Sequence, residues 1–429
     1  MITTTPPGLN VYAYELKNFA QKYFIDFLFI FMKKLITLLV CMLFIPLNIT
    51  TKKENDDFPH DCTREWWNVD AFIKADKNYS ITASIEYEKE TPAANLFFTI
   101  FNNDDKIVYN LSIYEDGIEE IKFGEGLNIT YKNSSLSGDY PYYTFHLENK
   151  GVAVRIYLEA ISPKKIVSDG LLPIGSGYCF YLFIPKCRAW GWIDFYGSRK
   201  EFEGIAYFEH VWGNWSYNKP MANFSYETIK NYLRIFKWWG KNDFSFSSFG
   251  ISSDNPFGYD WSWGWLYDGR AIFFGKIPFW ISGLDFGILY IYDGKFNEFK
   301  NLKVDYLDGI YLEGAFIPTK IRIEGDEVII LEMDNISHIY LDNLSSSYWK
   351  KLILYESPGK IYDSNGEIGR CEIEIERQIS IFEYFAIKIY FSNSSINFIL
   401  ASYLLNFIFG LNIGINPLSF SFYFSKICC

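Results

Sequence analysis

The stretch Gly204-Ile-Ala-Tyr-Phe-Glu-His-Val-Trp-Gly-Asn-Trp215 sets one carboxylate beside one imidazole inside an otherwise apolar, aromatic run. Read as a β-strand, its two-residue period sends Tyr207, Glu209 and Val211 to one face. Ala206, Phe208, His210 and Trp212 go to the other, so Glu209 and His210 cannot enter one cavity without a bulge. Strand-like segments with tryptophans at the same spacing flank it: Trp190 and Trp192 before, Trp261, Trp263 and Trp265 after. Ten of the thirteen tryptophans fall between Trp190 and Trp280, more than an ordinary core needs. That density points to a wall for a large apolar guest.

Outward from this stretch, the 429 residues divide by composition. Met32-Lys-Lys followed by the apolar Leu35–Leu47 reads as a secretory leader, with leader and linker spanning 32–55. Residues 1–31 then read as an upstream over-call of the start site. Between residues 56 and 385 lie eight Asn-x-Ser/Thr sequences, against about two expected by chance, which favours an exported, glycosylated surface. Residues 387–429 form an apolar tail, with no charge from Phe391 to Ser425. Its four asparagines between Asn397 and Asn416 make a poor bilayer span. A membrane anchor, a buried tail and translation past the true gene end all remain open. The localisation expected is extracellular or cell-surface, with membrane association through the termini if the anchor is real.

The net charge of −11, with no basic cluster, argues against nucleic acid as a partner. The four histidines have no metal-ligand spacing with one another or with cysteine, so neither a metal nor a cofactor is expected. Cys62, Cys179, Cys187 and Cys371 are compatible with two disulfides, in any of three pairings. Cys179 and Cys187 can bridge only if the chain reverses near Pro185, because a straight strand holds them about 26 Å apart.

Turn dipeptides such as Asp116-Gly117, Asp268-Gly269, Asp293-Gly294 and Asn365-Gly366 recur between short runs of Ile, Val, Tyr, Phe and Thr. Thr319–Glu324 and Glu327–Glu332 form the clearest hairpin, turning at Gly325-Asp326. Glu372, Glu374 and Glu376 alternate with Ile373 and Ile375, as on a strand with one wet face. Only Ser225–Trp239 carries helical spacing, through Tyr226, Ile229, Leu233 and Phe236 behind a Ser N-cap. The expected architecture is all-β, two antiparallel domains at 56–220 and 221–386 with a short helical linker, as barrels or sandwiches.

Four segments carry a family resemblance. His60-Asp-Cys-Thr-Arg-Glu65-Trp66-Trp67 resembles the His…Glu-Trp-Trp opening of the AttH-like and carotenoid 1,2-hydratase (hydroxyneurosporene synthase) superfamily. Gly204…Tyr207-Phe-Glu209-His210…Gly213 resembles its Gly…Tyr-x-Asp-His segment, and Trp261-Ser-Trp263-Gly-Trp265…Asp268-Gly269 its Trp-x-Trp…Asp-Gly strand. Gly369-Arg-Cys-Glu372 is similar to its closing strand. Order and spacing agree over Phe58–Arg377. The resemblance implies two tandem lipocalin-like β-barrels around a long apolar pocket. It also implies a catalytic carboxyl at Glu209, where the hydratases use Asp to protonate an isoprenoid double bond. Glu adds a methylene, displacing the acid by about 1.5 Å. The hydratases also carry a His on the strand ahead of the preceding Pro, and Tyr178–Ile184 here has none.

Beside that implication stands the plain alternative that Glu209 is a paired structural carboxylate. Burial would keep it protonated and able to donate, with Tyr207 as catalytic partner. Trp192, Trp261, Trp263 and Trp265 are candidates to bind the ligand and to face a developing cation. Glu65 and Trp67 are candidates for the pocket mouth, although Glu65 also suits anchoring the first strand through an Arg or a backbone amide. His210 suits a structural bond to a carboxylate or carbonyl where the barrels meet, and His60 a hydrogen bond before the first strand. Two functions follow: a carrier of a long apolar isoprenoid or lipid, or a hydratase or isomerase of an isoprenoid double bond with Glu209 as proton donor. Both require open space among the rings. A structural glycoprotein does not.

Overall fold

The computed structural model describes residues 57–380, except 91, 175–176, 217–224, 240–257, 278–285, 301, 314 and 344–348. The over-call at 1–31, the leader at 32–55 and the tail at 387–429 lie outside the described residues, as does part of the expected domain boundary at 214–223. Among the described residues no helix is long and apolar enough to cross a membrane.

Two antiparallel sheets are built on one plan. In the first, the opening strand Arg64–Lys74 pairs along its length with the last, Ser198–Asn214. In the second, the opening strand Gly258–Leu266 pairs with the last, Gly366–Ser380. The intervening strands spread from these central pairs largely as hairpins, and each sheet curls into a lipocalin-like barrel. Between the sheets lies the helix Tyr226–Trp239, where the sequence spacing puts it. The hairpin at Gly325-Asp326 also forms, from Ala315–Glu324 and Val328–Met333.

Period-two alternation sorts the side chains. Inside the first barrel, Val69, Ile85, Phe98, Phe145, Ala206 and Phe208 are buried on one another. Ile272, Phe274, Ile317, Ile353, Ile373 and Ile375 do the same in the second. A third cluster draws on the outward faces of both sheets, joining Phe183 and Tyr207 to Trp261, Trp263, Phe273 and Tyr290. The sheets therefore bury both faces of their central strands, one inside the barrel and one against the other sheet.

Pro185 lies within the strand Gly177–Phe195, where a proline has no N–H for the ladder. The register shifts between Ile184 and Cys187, a bulge that absorbs the missing donor. The Pro185 carbonyl accepts a hydrogen bond from Trp263 Nε1 at 2.8 Å, tying the second sheet to the first. Because the chain passes through Pro185 without reversing, Cys179 and Cys187 stay far apart on one strand. All four body cysteines are buried free thiols, which corrects the expectation of two disulfides. The wet face expected for Glu372–Glu376 is also corrected: Glu372 is 2% and Glu376 4% exposed, since this face turns toward the other sheet.

Gly204 and Gly213 bracket the central strand because neighbouring backbone comes too close for a side chain. A Cβ at Gly204 would sit 2.1 Å from Phe72 O, and one at Gly213 2.1 Å from Tyr178 O. Gly204→Ala is expected to lower stability by about 1–3 kcal/mol, the usual cost of overpacking, read as a lower denaturant midpoint with an unchanged slope.

Candidate active site

The pairing of Arg64–Lys74 with Ser198–Asn214 sets Trp67 opposite His210 and Asn68 opposite Glu209, so two constellations form on opposite faces of one sheet.

Inside the barrel, Glu65 is fully buried and accepts from His210 Nε2 at 2.8 Å and His60 Nδ1 at 2.9 Å on Oε1. Tyr87 Oη donates to Oε2 at 2.7 Å, and the His60 backbone N–H reaches both oxygens. Burial opposes ionisation here, but the bonds from His210, His60 and Tyr87 outweigh it and hold the Glu65 carboxyl below its ordinary value. Burial pushes the His210 imidazole down, against the pull of Glu65. That ring is stacked between Trp67, at 4.7 Å, and Trp212, at 4.5 Å. Trp67 Nε1 donates to Asp57 O. His210 thus bonds a carboxylate as the sequence suggested, but inside the first barrel and not where the barrels meet. Among the described residues only His60, Glu65 and His210 could hold a metal ion, their ligand atoms lying within 4.8 Å of one another. Within this trio Glu65 Oε1 bonds both His210 Nε2 and His60 Nδ1.

On the outer face, Glu209 is 5% exposed and surrounded by neutral donors. Trp66 Nε1 donates to Oε1 at 2.8 Å, while Tyr207 Oη, at 2.7 Å, and Tyr181 Oη both donate to Oε2. Among the described residues no Lys or Arg lies within ion-pair distance of it. Burial raises the Glu209 pKa above its ordinary value, and the three donors recover only part of the shift. Oε2 has both lone pairs occupied, so the proton of the neutral acid resides on Oε1.

Facing Glu209 is a polar patch on both sheets. Glu374 pairs across its ladders with Trp261 and with Glu356. Glu372 pairs with Trp263, and Asp70 lies opposite Tyr207. Burial raises the pKa of Asp70, Glu372 and Glu374 well above their ordinary values, and neighbouring carboxyls in the group push the same way. Glu356 is pushed by burial from 4.5 to about 7. Asp70 Oδ1, Glu372 Oε1 and Trp261 Nε1 are buried without a hydrogen-bond partner among the described residues. Tyr259 donates to Glu374, and Asn68 to Asp70 at 2.6 Å.

This geometry regroups the residues singled out in the sequence. Tyr207, Glu209, Trp261 and Trp263 come together. Trp265 stands at the rim beneath Lys186, whose ammonium lies 4.7 Å from its ring. Glu65 and Trp67 belong to the opposite face. Trp192 lies apart on the first sheet, covered by Arg199 at 3.8 Å. The rings pack on one another: Phe183 on Phe273 at 4.3 Å, Tyr207 against Trp261 at 5.4 Å and Trp263 at 5.8 Å. Sequence reasoning overlooked Trp66, Tyr181, Asp70, Glu356 and Glu374. The signal for Tyr181 was present, since it occupies the very strand where a histidine was sought.

No protein-family model matches the sequence, and no curated protein matches it. Solved structures do. A crystal structure described as an AttH from Nitrosomonas europaea superposes with a TM-score of 0.56 at 13% identity, over 77% of this chain and 98% of that one. Kievitone hydratase from Nectria haematococca gives 0.52 at 9% identity, over 76% and 93%. The fold is the AttH-like tandem barrel. In this AttH-like frame the buried acids separate two environments: the Glu65 pKa is lowered within the first barrel, and the pKa values of the acids between the sheets are raised.

That separation fixes the sign of a pH effect. Acids whose folded pKa is raised stabilise the fold fully below their unfolded value, near 4.5, and lose that contribution as the pH climbs through the folded value, about 7 for Glu356. Glu65 acts oppositely, its contribution being lost only as the pH falls through its lowered value. Stability is therefore expected to be higher at pH 5 than at pH 8. Thermal melts should show a drop of about 2–4 °C for each kcal/mol lost, and Glu356→Gln should flatten the profile.

Proposed function

We propose that the chain is an enzyme that protonates a carbon–carbon double bond of a small molecule, as a hydratase or isomerase, with Glu209 as general acid. One observation carries this reading: Glu209 is a buried, cation-free carboxyl whose conjugate base is already provided with three hydrogen-bond donors. Burial raises the Glu209 pKa and so favours the protonated form that can donate. Once the proton leaves Oε1 for an alkene carbon, Trp66, Tyr181 and Tyr207 solvate the carboxylate without reorganising. The electron pair of the double bond forms the new C–H bond, and the adjacent carbon becomes cationic. Aromatic faces of Trp66, Tyr207 and Trp261 suit that cation. A hydratase adds water there and returns a proton to Glu209; an isomerase returns a proton from a neighbouring carbon instead.

The likeness to kievitone hydratase supports the fold and makes hydration a natural case, while the chemistry rests on Glu209. An isoprenoid or lipid with an apolar body suits the aromatic walls. The unpartnered Asp70 Oδ1, Glu372 Oε1 and Trp261 Nε1 add a demand: the substrate also carries a hydroxyl, able to donate to a carboxyl and accept from an indole. Ring-on-ring packing means that either reading needs these rings to part for a ligand, and a carrier of long hydrocarbon chains needs the larger opening.

Incubating hydroxylated isoprenoid alkenes with the protein in D2O tests this, because protonation places one non-exchangeable deuterium on carbon. Glu209→Gln is expected to slow incorporation by about 10²–10⁴-fold with the fold intact; an unchanged rate would remove Glu209 from the chemistry. Tyr181→Phe deletes a bond that lowers the Glu209 pKa. The fall in turnover at high pH should then move to higher pH, and a profile that stays put would separate Tyr181 from the acid.

A further inference from the structure

The Asn-x-Ser/Thr sequences meet an internal control in the structure. Six of the eight acceptor asparagines are described with their surroundings, at positions 78, 110, 128, 133, 214 and 335, and all six are exposed. Eight other asparagines, lacking Ser or Thr two residues on, are described in the same sheets and helix. Three of these are buried (Asn68, Asn102 and Asn231), four are half-buried, and only Asn365 is exposed. Abundant asparagine in the chain does not produce this split, since both sets share one composition. Nor does the hydroxyl residue draw its asparagine outward, because Ser80, Ser112 and Ser216 in three of the six sequences are themselves buried. Exposure goes with the acceptor amide.

The amide nitrogen Nδ2 is the atom a glycan takes. At Asn78 it donates to Asp104 at 2.9 Å, and at Asn214 to Tyr178 Oη at 2.9 Å, so attachment there competes with an existing bond. At Asn110 Oδ1 accepts from the Ser112 N–H at 3.0 Å, and among the described residues Nδ2 has no partner. Asn128 lies on the strand Leu127–Tyr131 between the inward-facing Leu127 and Ile129, with its side chain and that of Thr130 outside the barrel. Asn133 occupies the turn after that strand, next to Lys132 in the left-handed region at φ 54°.

We infer that the chain is exported and N-glycosylated, with Asn110, Asn128, Asn133 and Asn335 as the principal acceptors. The donor is a lipid-diphosphate-linked oligosaccharide. Nδ2 forms a bond to the anomeric carbon, the bond from that carbon to the diphosphate oxygen breaks, the lipid diphosphate leaves, and Nδ2 gives up one proton. The four free thiols fit an oxidising compartment because they are buried. Burial pushes Cys62 and Cys179 up to about 12, which leaves almost no thiolate to oxidise. This inference is independent of the chemistry at Glu209.

Expressing the full chain with its own N-terminus in a eukaryotic host tests it. The purified protein is treated with peptide N-glycosidase in 18O-labelled water, which releases each glycan as its glycosylamine and converts the glycosylated Asn to 18O-labelled Asp, and its peptides are read by mass spectrometry. Label is expected at Asn110, Asn128, Asn133 and Asn335. Thr130→Ala, at an exposed position, should erase label at Asn128 alone, and Thr130→Ser should keep it. A folded chain whose acceptor asparagines are all unlabelled, whether recovered from medium or from cells, overturns the inference. So does label at Asn128 that survives Thr130→Ala.

Discussion

A β-strand cannot point two successive side chains the same way, and the site is organised by that constraint. Glu209 and His210 are neighbours in the chain and belong to different worlds in the fold. One faces the second sheet and the other the interior of the first barrel. His210 brings Glu65 into its service, with His60 and Tyr87, and that carboxylate is held ionised. One sheet-thickness away, Glu209 has only neutral donors among the described residues, and burial raises its pKa. Two carboxyls whose pKa values are pushed in opposite directions in one sheet are a familiar way to divide structural from acid–base work. The histidine clasp inside secures the register that presents the acid outside.

The interface between the sheets is unusual in what it buries. Aromatic packing supplies its stability through Phe183, Tyr207, Trp263 and Phe273. Asp70, Glu356, Glu372 and Glu374 occupy the same interface, and of these only Glu356 has an ion-pair partner among the described residues, His338 at 3.9 Å. Burial holds that imidazole below its usual value. Acids so placed are tolerated as neutral groups, and as neutral groups they can both donate and accept hydrogen bonds. An interface built for stability alone would have no use for carboxyl and indole atoms left without partners. The polar centre, more than the aromatic wall, marks this surface as a site.

The missing histidine on the strand before Pro185 looked like a lost catalytic partner. The structure puts Tyr181 of that strand on the Glu209 carboxyl instead. A phenol donates to a carboxylate as an imidazole would, but brings no charge at neutral pH, and burial pushes its own pKa further up. The neutral surround of Glu209 follows from that exchange. Pro185 meanwhile trades a ladder bond for a bulge, and the freed geometry lets its carbonyl take Trp263.

The sequence alone determined the all-β class, the helix behind Ser225, the hairpin at Gly325-Asp326 and the split between Glu209 and His210. These are local consequences of periodicity, turn chemistry and capping, which need no knowledge of distant residues. The family motifs also carried the tandem-barrel architecture, since they recur in order along the chain. Only the tertiary structure decided what each face meets. The row Glu372, Glu374 and Glu376 has the pattern of a solvated strand face, yet Glu372 and Glu376 are buried and Glu374 half-buried because a second sheet lies over it. Glu65 and Trp67 looked like pocket residues beside Trp66, and the sheet itself separates them. The four cysteines had the number for two bridges, yet their separation depends on a strand that runs straight through Pro185. Alternation tells which side a residue takes; whether that side is water, barrel core or a second sheet depends on contacts made hundreds of residues away.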